Sequence, residues 1–546
     1  MVGVAGKSQA CNTCKRRRVK CDLRRPTCFR CEKANILCAG YERDLIFINC
    51  TPTRLSLTTA SIIAEEKPKD SKQRLLPIYE EDVRSLIFQA RNPPSYLPVE
   101  FRRNAVKLLR KLYLPWPLLE KYWHAMGSAC DWLGSLDALI EESQALDFAI
   151  LAFCVVQTHL TNTSSVRLEE GLQFYIDALR HHRTDLEDEQ KRSRDESLAT
   201  IVVLTTCELF VFPVDHSWRV HALGIPEILR LRSQSGPHTR TWSRLCSRLH
   251  MVCIIDSLTK ERPLFLSSNE WLDMSRNFYS EPIDRLLDII TNVPALLAQC
   301  NTLMDDAHPE QHDYKMVSIV KEFIDVVNQI QLWRHRTKVD GSRRSYWSVL
   351  SQIHNPADNI YTTKLFPCAL EFDSLDSAVM FSFTWSIHLQ IFNKIIHIYR
   401  WFHSYAACLP GLHETFGRGM QHDLRTTSTG ESCYMDPSKI SISFIKTEAD
   451  KLGRLLCQCV EYCYRWDMGT LGLQCLRYPQ WIMRQFFRQT PGYERELEWA
   501  LQIKYVTGPR LYDKLDLMEF DDNPRCIGFI TDRAYYRPRD NLREDI

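Results

Sequence analysis

Six cysteines within 28 residues constrain this chain more than any other feature. Cys11, Cys14 and Cys21 are spaced C-x2-C-x6-C, and after six intervening residues Cys28, Cys31 and Cys38 repeat that spacing. Two tetrahedral metal ions need eight coordination positions, and six thiolates supply eight only when two of them each bridge both ions. The arithmetic fits a binuclear zinc cluster, because thiolate is a soft ligand and an all-sulfur tetrahedral site suits zinc. An iron-sulfur centre is one alternative, although such runs ordinarily bring four cysteines per cluster at other spacings. A disulfide framework is the other, since an even cysteine count in a short segment is also its signature. The opening decapeptide MVGVAGKSQA has no apolar core of signal-peptide length, so a reducing compartment is expected, which disfavours disulfides. Metal is expected to be a folding requirement as well. The apolar residues available (Val19, Leu23, Phe29, Ile36, Leu37) are too few to bury a core.

The residues between the cysteines indicate a polyanionic partner. Nine basic residues (Lys15, Arg16, Arg17, Arg18, Lys20, Arg24, Arg25, Arg30, Lys33) face only Asp22 and Glu32, and the metallated segment keeps a charge of about +5. The whole chain is only +2, so the remainder is net acidic and the positive charge is concentrated at the cysteines. KRRRVK could serve as a nuclear-import tag or a solvated charge run. Its position argues for more: Lys15 to Lys20 lie between Cys14 and Cys21, where metal at both ends would pre-order long, flexible side chains.

Residues 11–38 resemble, over their full length, the fungal Zn2Cys6 binuclear-cluster transcription factors. The resemblance implies that the first and fourth cysteines, Cys11 and Cys28, bridge two zinc ions. It also implies that each half is a short helix followed by an extended strand, with a proline-containing loop between them, here Pro26. It further implies that Arg17 and Arg18 read a CGG-type triplet in the major groove, where an arginine fork can take both acceptors of a guanine edge. Lys15, Lys20, Arg24 and Arg25 are then read as phosphate contacts, which fix register and affinity but carry no sequence information. With Arg16, these form the candidate DNA-binding set.

Beyond the cluster, Leu45 to Ile48 is a short apolar run that reads as a strand or an ordered arm, and residues 39–75 read as a linker rich in Thr, Ser, Lys and Glu. No apolar heptad persists over three repeats between Gly40 and Arg91, so a homodimer would form without an evident coiled coil. Residues 76–508 carry a helical period. Met316, Ile319, Val320, Phe323, Val327 and Ile330 share one face, as do Ile283, Leu286, Leu287 and Ile290 behind Pro282, and as do His388, Ile391, Phe392, Ile395 and Tyr399. The expected fold is a small zinc-cluster domain followed by a large all-α regulatory domain, with 509–546 as a C-terminal tail. The apolar stretch Ala378 to Tyr399 is interrupted by His388, Gln390, Asn393 and Lys394, so a buried core helix is expected and no membrane span.

Within that region SWRVHALGIPEILRLR (217–232) and RPLFLSSNEW (262–271) look like the regulatory domain that often accompanies these clusters, with Trp218, His221, Gly224, Leu229, Arg262, Pro263 and Trp271 at the matching positions. Trp218, His221, Ala222 and Ile225 read as a core stripe in preference to a ligand pocket. His308 and His312 in HPEQH belong to a helix-boundary loop, not to the HExxH zinc motif. Cys457, Cys459 and Cys463 are close in sequence, but Cys459 and Cys463 fall with Leu452 and Leu456 on one helical face, and the group reads as core packing. Residues 409–438 read as a long surface loop. YDKLDLMEFDD (Tyr512 to Asp522) has the composition of an activation segment, or of a helix docking through Leu515, Met518 and Phe520. No GxSxG, Walker A or GxGxxG sequence occurs, so no enzyme is expected.

Together these features lead to the expectation of a nuclear, sequence-specific transcription factor acting on RNA polymerase II genes. Its partners would be double-stranded DNA and, through the helical domain, co-regulators or the transcription machinery. The competing expectation is a helical protein whose cluster gives only nonspecific nucleic-acid binding or zinc handling.

Overall fold

The computed structural model describes residues 11, 13–14, 17, 19–24, 28–34, 36 and 38 of the cysteine segment, and residues 79–511 apart from 93–96, 98, 116–130, 162–165, 212–238, 265–281, 307–310, 338–344 and 405–440. The chain divides into two compact units, residues 1–66 and 67–546. The first holds the cysteine cluster and helix α1 (Phe29–Lys33).

The second unit is built around two long buried helices. The first group comprises α2 (Glu80–Arg91), α3 (Val99–Tyr113), α4 (Asp131–Ser135), α5 (Gln144–Thr161), α6 (Leu168–Glu187), α7 (Glu189–Arg192) and α8 (Asp195–Val211). In α5 every residue from Ala149 to Val156 is buried, because the run AILAFCVV is apolar around the whole circumference. It is accordingly surrounded, packing against α2, α3, α6 and α8. Helix α8 contains Ile201, Val202 and Val203, residues that favour strands, yet it is helical. Its threonines bond back onto the preceding turn: Thr200 Oγ1 to the Glu196 carbonyl at 2.8 Å, Thr205 to Ile201 and Thr206 to Val202 at 2.7 Å each. Burial of both faces decides the matter over intrinsic propensity.

A middle group follows: α9 (Arg240–Lys260), α10 (Pro282–Ile290), α11 (Val293–Met304) and α12 (Asp313–Thr337). The expected stripes on α10 and α12 are buried, and Pro282 opens α10 at the position where its missing N–H costs nothing. His312 lies at the boundary before α12 and pairs with Asp306 at 2.9 Å; His308 lies outside the described residues.

The last group surrounds α13 (Leu375–Ser404), with α14 (Ile442–Gln458), α15 (Val460–Cys463), α16 (Gly469–Cys475), α17 (Arg477–Gln489) and α18 (Glu494–Leu501). Helix α13 is the core helix expected from Ala378 to Tyr399, and no described helix is long and apolar enough to cross a membrane. Three of its interrupting polar residues tie it to neighbours. Gln390 donates to the Leu258 carbonyl at 2.8 Å and accepts from Tyr478 at 2.6 Å; Asn393 donates to Gln489 at 2.7 Å. Lys394 reaches Glu261 at 2.6 Å and Asn301 at 2.8 Å. Cys457, Cys459 and Cys463 are buried as expected, although the helix breaks at Cys459 between α14 and α15. Gly469 has φ +64°, and a Cβ there would collide with the Tyr113 and Leu114 carbonyls, so the close approach of α16 to the end of α3 requires glycine.

One feature departs from an all-α region. Strands β1 (Tyr346–Leu350) and β2 (Cys368–Phe372) pair antiparallel with Tyr346 opposite Phe372 and Leu350 opposite Cys368. Tyr346 supplies the anchor, its ring lying edge-on to Phe381 and Trp385 of α13 at 4.9 and 5.3 Å. The segments 217–232, 265–271, 409–438 and 512–522, and the linker, lie outside the described residues. Of the second regulatory-domain motif, Arg262 is described and donates to Asp256 at 2.6 Å.

Candidate metal centre and nucleic-acid interface

The twofold repeat of the cysteine spacing is repeated in the backbone. Cys14 N–H donates to the Cys11 thiol and Cys31 N–H to the Cys28 thiol, both at 3.3 Å. Cys11 N–H reaches the Cys21 sulfur and Cys28 N–H the Cys38 sulfur, both at 3.5 Å. Val19 N–H donates to the Cys14 carbonyl and Ile36 N–H to the Cys31 carbonyl, both at 3.1 Å. A displacement of 17 residues therefore maps one half onto the other, and each x2 spacing forms the single turn that aims two sulfurs inward.

The thiols gather into two four-membered groups, Cys11, Cys14, Cys21 and Cys28, and Cys11, Cys28, Cys31 and Cys38, with the sulfurs of each group within 4.8 Å of one another. The groups share Cys11 and Cys28, whose sulfurs are 3.6 Å apart. Cys14 to Cys28 is also 3.6 Å, and Cys11 to Cys31 is 3.9 Å. Four sulfurs around zinc at about 2.3 Å stand about 3.8 Å apart along each tetrahedral edge. A disulfide would require about 2.05 Å, and none of the six cysteines forms one. Cys11, Cys14, Cys28 and Cys31 are fully buried. Burial raises the thiol pKa of Cys11, Cys14 and Cys31, that of Cys31 to about 12, so a divalent cation is what would favour their thiolate forms. The donor set fits two zinc ions.

Asp22 breaks the internal symmetry and anchors the second half. Its carboxylate accepts the backbone N–H groups of Phe29 at 3.1 Å and Arg30 at 3.2 Å, capping α1 across the loop. Burial raises its pKa, but these backbone donors outweigh that effect and hold it below the usual carboxylate value. Leu23 follows in the left-handed region at φ 64°, the turn that brings Asp22 back onto the helix. In the sequence alone Asp22 reads only as a negative charge, although an acidic residue seven positions before the helical segment FRCEK is a signal for such a cap.

Among the candidate DNA-binding residues, Arg17 and Lys20 are exposed, on the stretch between Cys14 and Cys21. Arg17 N–H donates to the Thr13 carbonyl at 3.0 Å, which fixes its backbone. Arg24 is exposed and lies 3.4 Å from Glu32. Lys15, Arg16, Arg18 and Arg25 lie outside the described residues.

A buried six-thiol cluster whose donor set fits two zinc ions, with exposed Arg17 and Lys20 on the stretch between two of its cysteines, defines a zinc-cluster domain in a chain that also carries a large helical unit. Residues 9–45 match the fungal Zn(2)-Cys(6) binuclear cluster domain, which binds two zinc ions, and residues 119–399, more than half the chain, match the fungal specific transcription factor domain. The chain belongs to the fungal Zn2Cys6 transcription factors, a family of DNA-binding regulators that are generally nuclear and generally not enzymes. It is 54% identical over 44 residues to arginine metabolism regulation protein II of Saccharomyces cerevisiae, covering 8% of this chain and 5% of that protein. It is 56% identical over 32 residues to white-opaque regulator 2 of Candida albicans, covering 6% of this chain and 7% of that one. The matches thus span less than a tenth of either relative. No solved structure matches the chain.

Proposed function

We propose that this protein binds CGG-type half-sites in double-stranded DNA through its zinc cluster and regulates RNA polymerase II transcription in the nucleus. In this reading Cys14 and Cys21 complete one zinc site, Cys31 and Cys38 the other, and Cys11 and Cys28 bridge the two. Arg17 and Arg18 contact guanine edges, while Lys15, Lys20, Arg24 and Arg25 contact phosphates, and Arg16 completes the DNA-binding set. The observation that carries the proposal is the exposure of Arg17 and Lys20 on a stretch anchored at both ends by cluster cysteines. Zinc would supply no chemistry to DNA; it would hold the backbone that presents these side chains. The Arg24–Glu32 pair is no obstacle, since an exposed ion pair is worth at most about 1 kcal/mol and a phosphate can displace the carboxylate. The helical unit, residues 76–508, would receive co-regulators or the transcription machinery, and any homodimer would form without an evident coiled coil.

The test is fluorescence anisotropy with the full chain on CGG-containing and scrambled duplexes across a range of salt. Specific binding predicts a tighter complex with the CGG duplex at every salt concentration, by about a thousandfold or more. Arg17→Ala should reduce that preference, while Lys20→Ala should weaken both duplexes alike and lower the salt slope by about one. Equal affinity for both duplexes would support nonspecific binding or zinc handling instead.

A further inference from the structure

Of the four polar residues that interrupt the apolar run of α13, His388 differs from the other three. Its Nε2 is buried and has no hydrogen-bond partner, and the residue is 5% exposed. Gln331 Oε1, on α12, is likewise buried without a partner. Both side chains line one cleft of about 240 Å³, formed where α12, β1, α13 and α14 meet. Native interiors leave few polar atoms unsatisfied, and two bordering the same cleft point to a ligand that supplies the missing partners.

The rest of the lining indicates which ligand. Arg334 lies one turn beyond Gln331, with its guanidinium held 4.7 Å over the Phe381 ring. Glu448 and Lys451 at the α14 side pair with each other at 3.4 Å, and Arg334 brings a guanidinium to the lining. Burial, together with the nearby Arg334 cation, lowers the His388 pKa to about 3 and keeps the imidazole neutral, with one nitrogen to donate or accept. The walls are aromatic: Tyr346, Trp385 and Phe392 line the cleft, and Phe444 joins them from α14.

We infer that this cleft binds a small aromatic carboxylate carrying a hydroxyl or amine. Its carboxylate would be held by Arg334 and His388, its donor group by Gln331 Oε1, and its ring by Trp385 and Phe392. A cation of the same size is disfavoured by Arg334, and an aliphatic acid would leave the aromatic walls without a planar partner. The site lies wholly within the helical unit, so its occupancy does not depend on the proposed reading of DNA.

Isothermal titration calorimetry of the full chain with 4-hydroxyphenylacetate tests the inference, with the uncharged 4-hydroxyphenethyl alcohol as comparison. The acid should bind saturably at one site, raise Tm by about 3 °C at a hundredfold excess over Kd, and bind about tenfold more tightly than the alcohol. His388→Phe, which keeps the ring and removes the nitrogens, should weaken the acid about tenfold while its ligand-free Tm stays near that of the parent. If His388→Phe fails to fold, Gln331→Leu, on α12, serves the same purpose with the same expected loss. The absence of saturable binding by the acid up to about 10 mM, or equal affinity for acid and alcohol, would overturn the proposal and leave ordered water as the partner of His388 and Gln331.

Discussion

The sulfurs of Cys11 and Cys28, 17 positions apart in the chain, lie 3.6 Å from each other and belong to both four-thiol groups. That overlap is what lets six cysteines fill eight coordination positions.

The shared pair makes the six cysteines unequal. Cys28→Ser should cost both metal ions, because its sulfur completes both groups, whereas Cys38→Ser removes a ligand from one group alone. Metal analysis of the purified full chain should give about two zinc ions for the parent, well below one for Cys28→Ser and about one for Cys38→Ser. Identical losses in the two variants would contradict the shared arrangement.

Asp22 and Leu23 act on the same turn in opposite directions. Asp22→Ala removes the cap from α1 and should cost about 1 kcal/mol. Leu23→Gly relieves a left-handed leucine and should return about 1 kcal/mol. Chelator titration should show Asp22→Ala releasing zinc at lower chelator concentration than the parent and Leu23→Gly at higher.

Arg102 and Asp147 are both about 6% exposed, and the guanidinium donates to the carboxylate at 2.6 Å and to the carbonyls of Leu139 and Glu141 at 2.9 Å. Arg102→Met strands a buried carboxylate whose pKa burial already raises despite the guanidinium, and should cost about 3–5 kcal/mol. Adding Asp147→Leu should recover much of that loss in urea unfolding. A double variant no more stable than Arg102→Met would show that the carboxylate is not the source of the cost.

Buried His250 and His388 should make the helical unit acid-sensitive. Burial lowers both pKa values from the ordinary 6.5 to about 3, His388 with help from Arg334. Between those values the unfolded chain binds more protons than the folded one, so stability falls as pH drops below about 6.5 and continues to fall toward 3. Each histidine contributes a slope approaching 1.4 kcal/mol per pH unit in that window and none above about pH 7.5. Urea midpoints at pH 7.5 and 5.5 should therefore converge for His250→Gln relative to the parent; an unchanged pH dependence would exclude His250 as a source.

Much of the architecture was legible in local pattern. The stripe from Met316 to Ile330 on α12 and Pro282 at the start of α10 are short-range signals, because a helix repeats its environment every three to four residues. The polar interruptions of α13 were equally visible, but their partners were not. Leu258, Gln489, Glu261 and Asn301 lie about 90 to 130 positions away from them. The β1–β2 pair is illegible in the sequence for the same reason: two five-residue strands have little periodic signal, and Tyr346 is anchored by rings on a distant helix.

The cysteine ladder determined the metal, its stoichiometry and the basic surface around it, because coordination number and charge are counted along the chain. Tertiary structure alone decided that Asp22 caps α1, that β-branched α8 is helical, and that His388 and Gln331 face one cleft. Each of these depends on which distant side chains exclude water from a group, and hydrophobic periodicity carries no record of that.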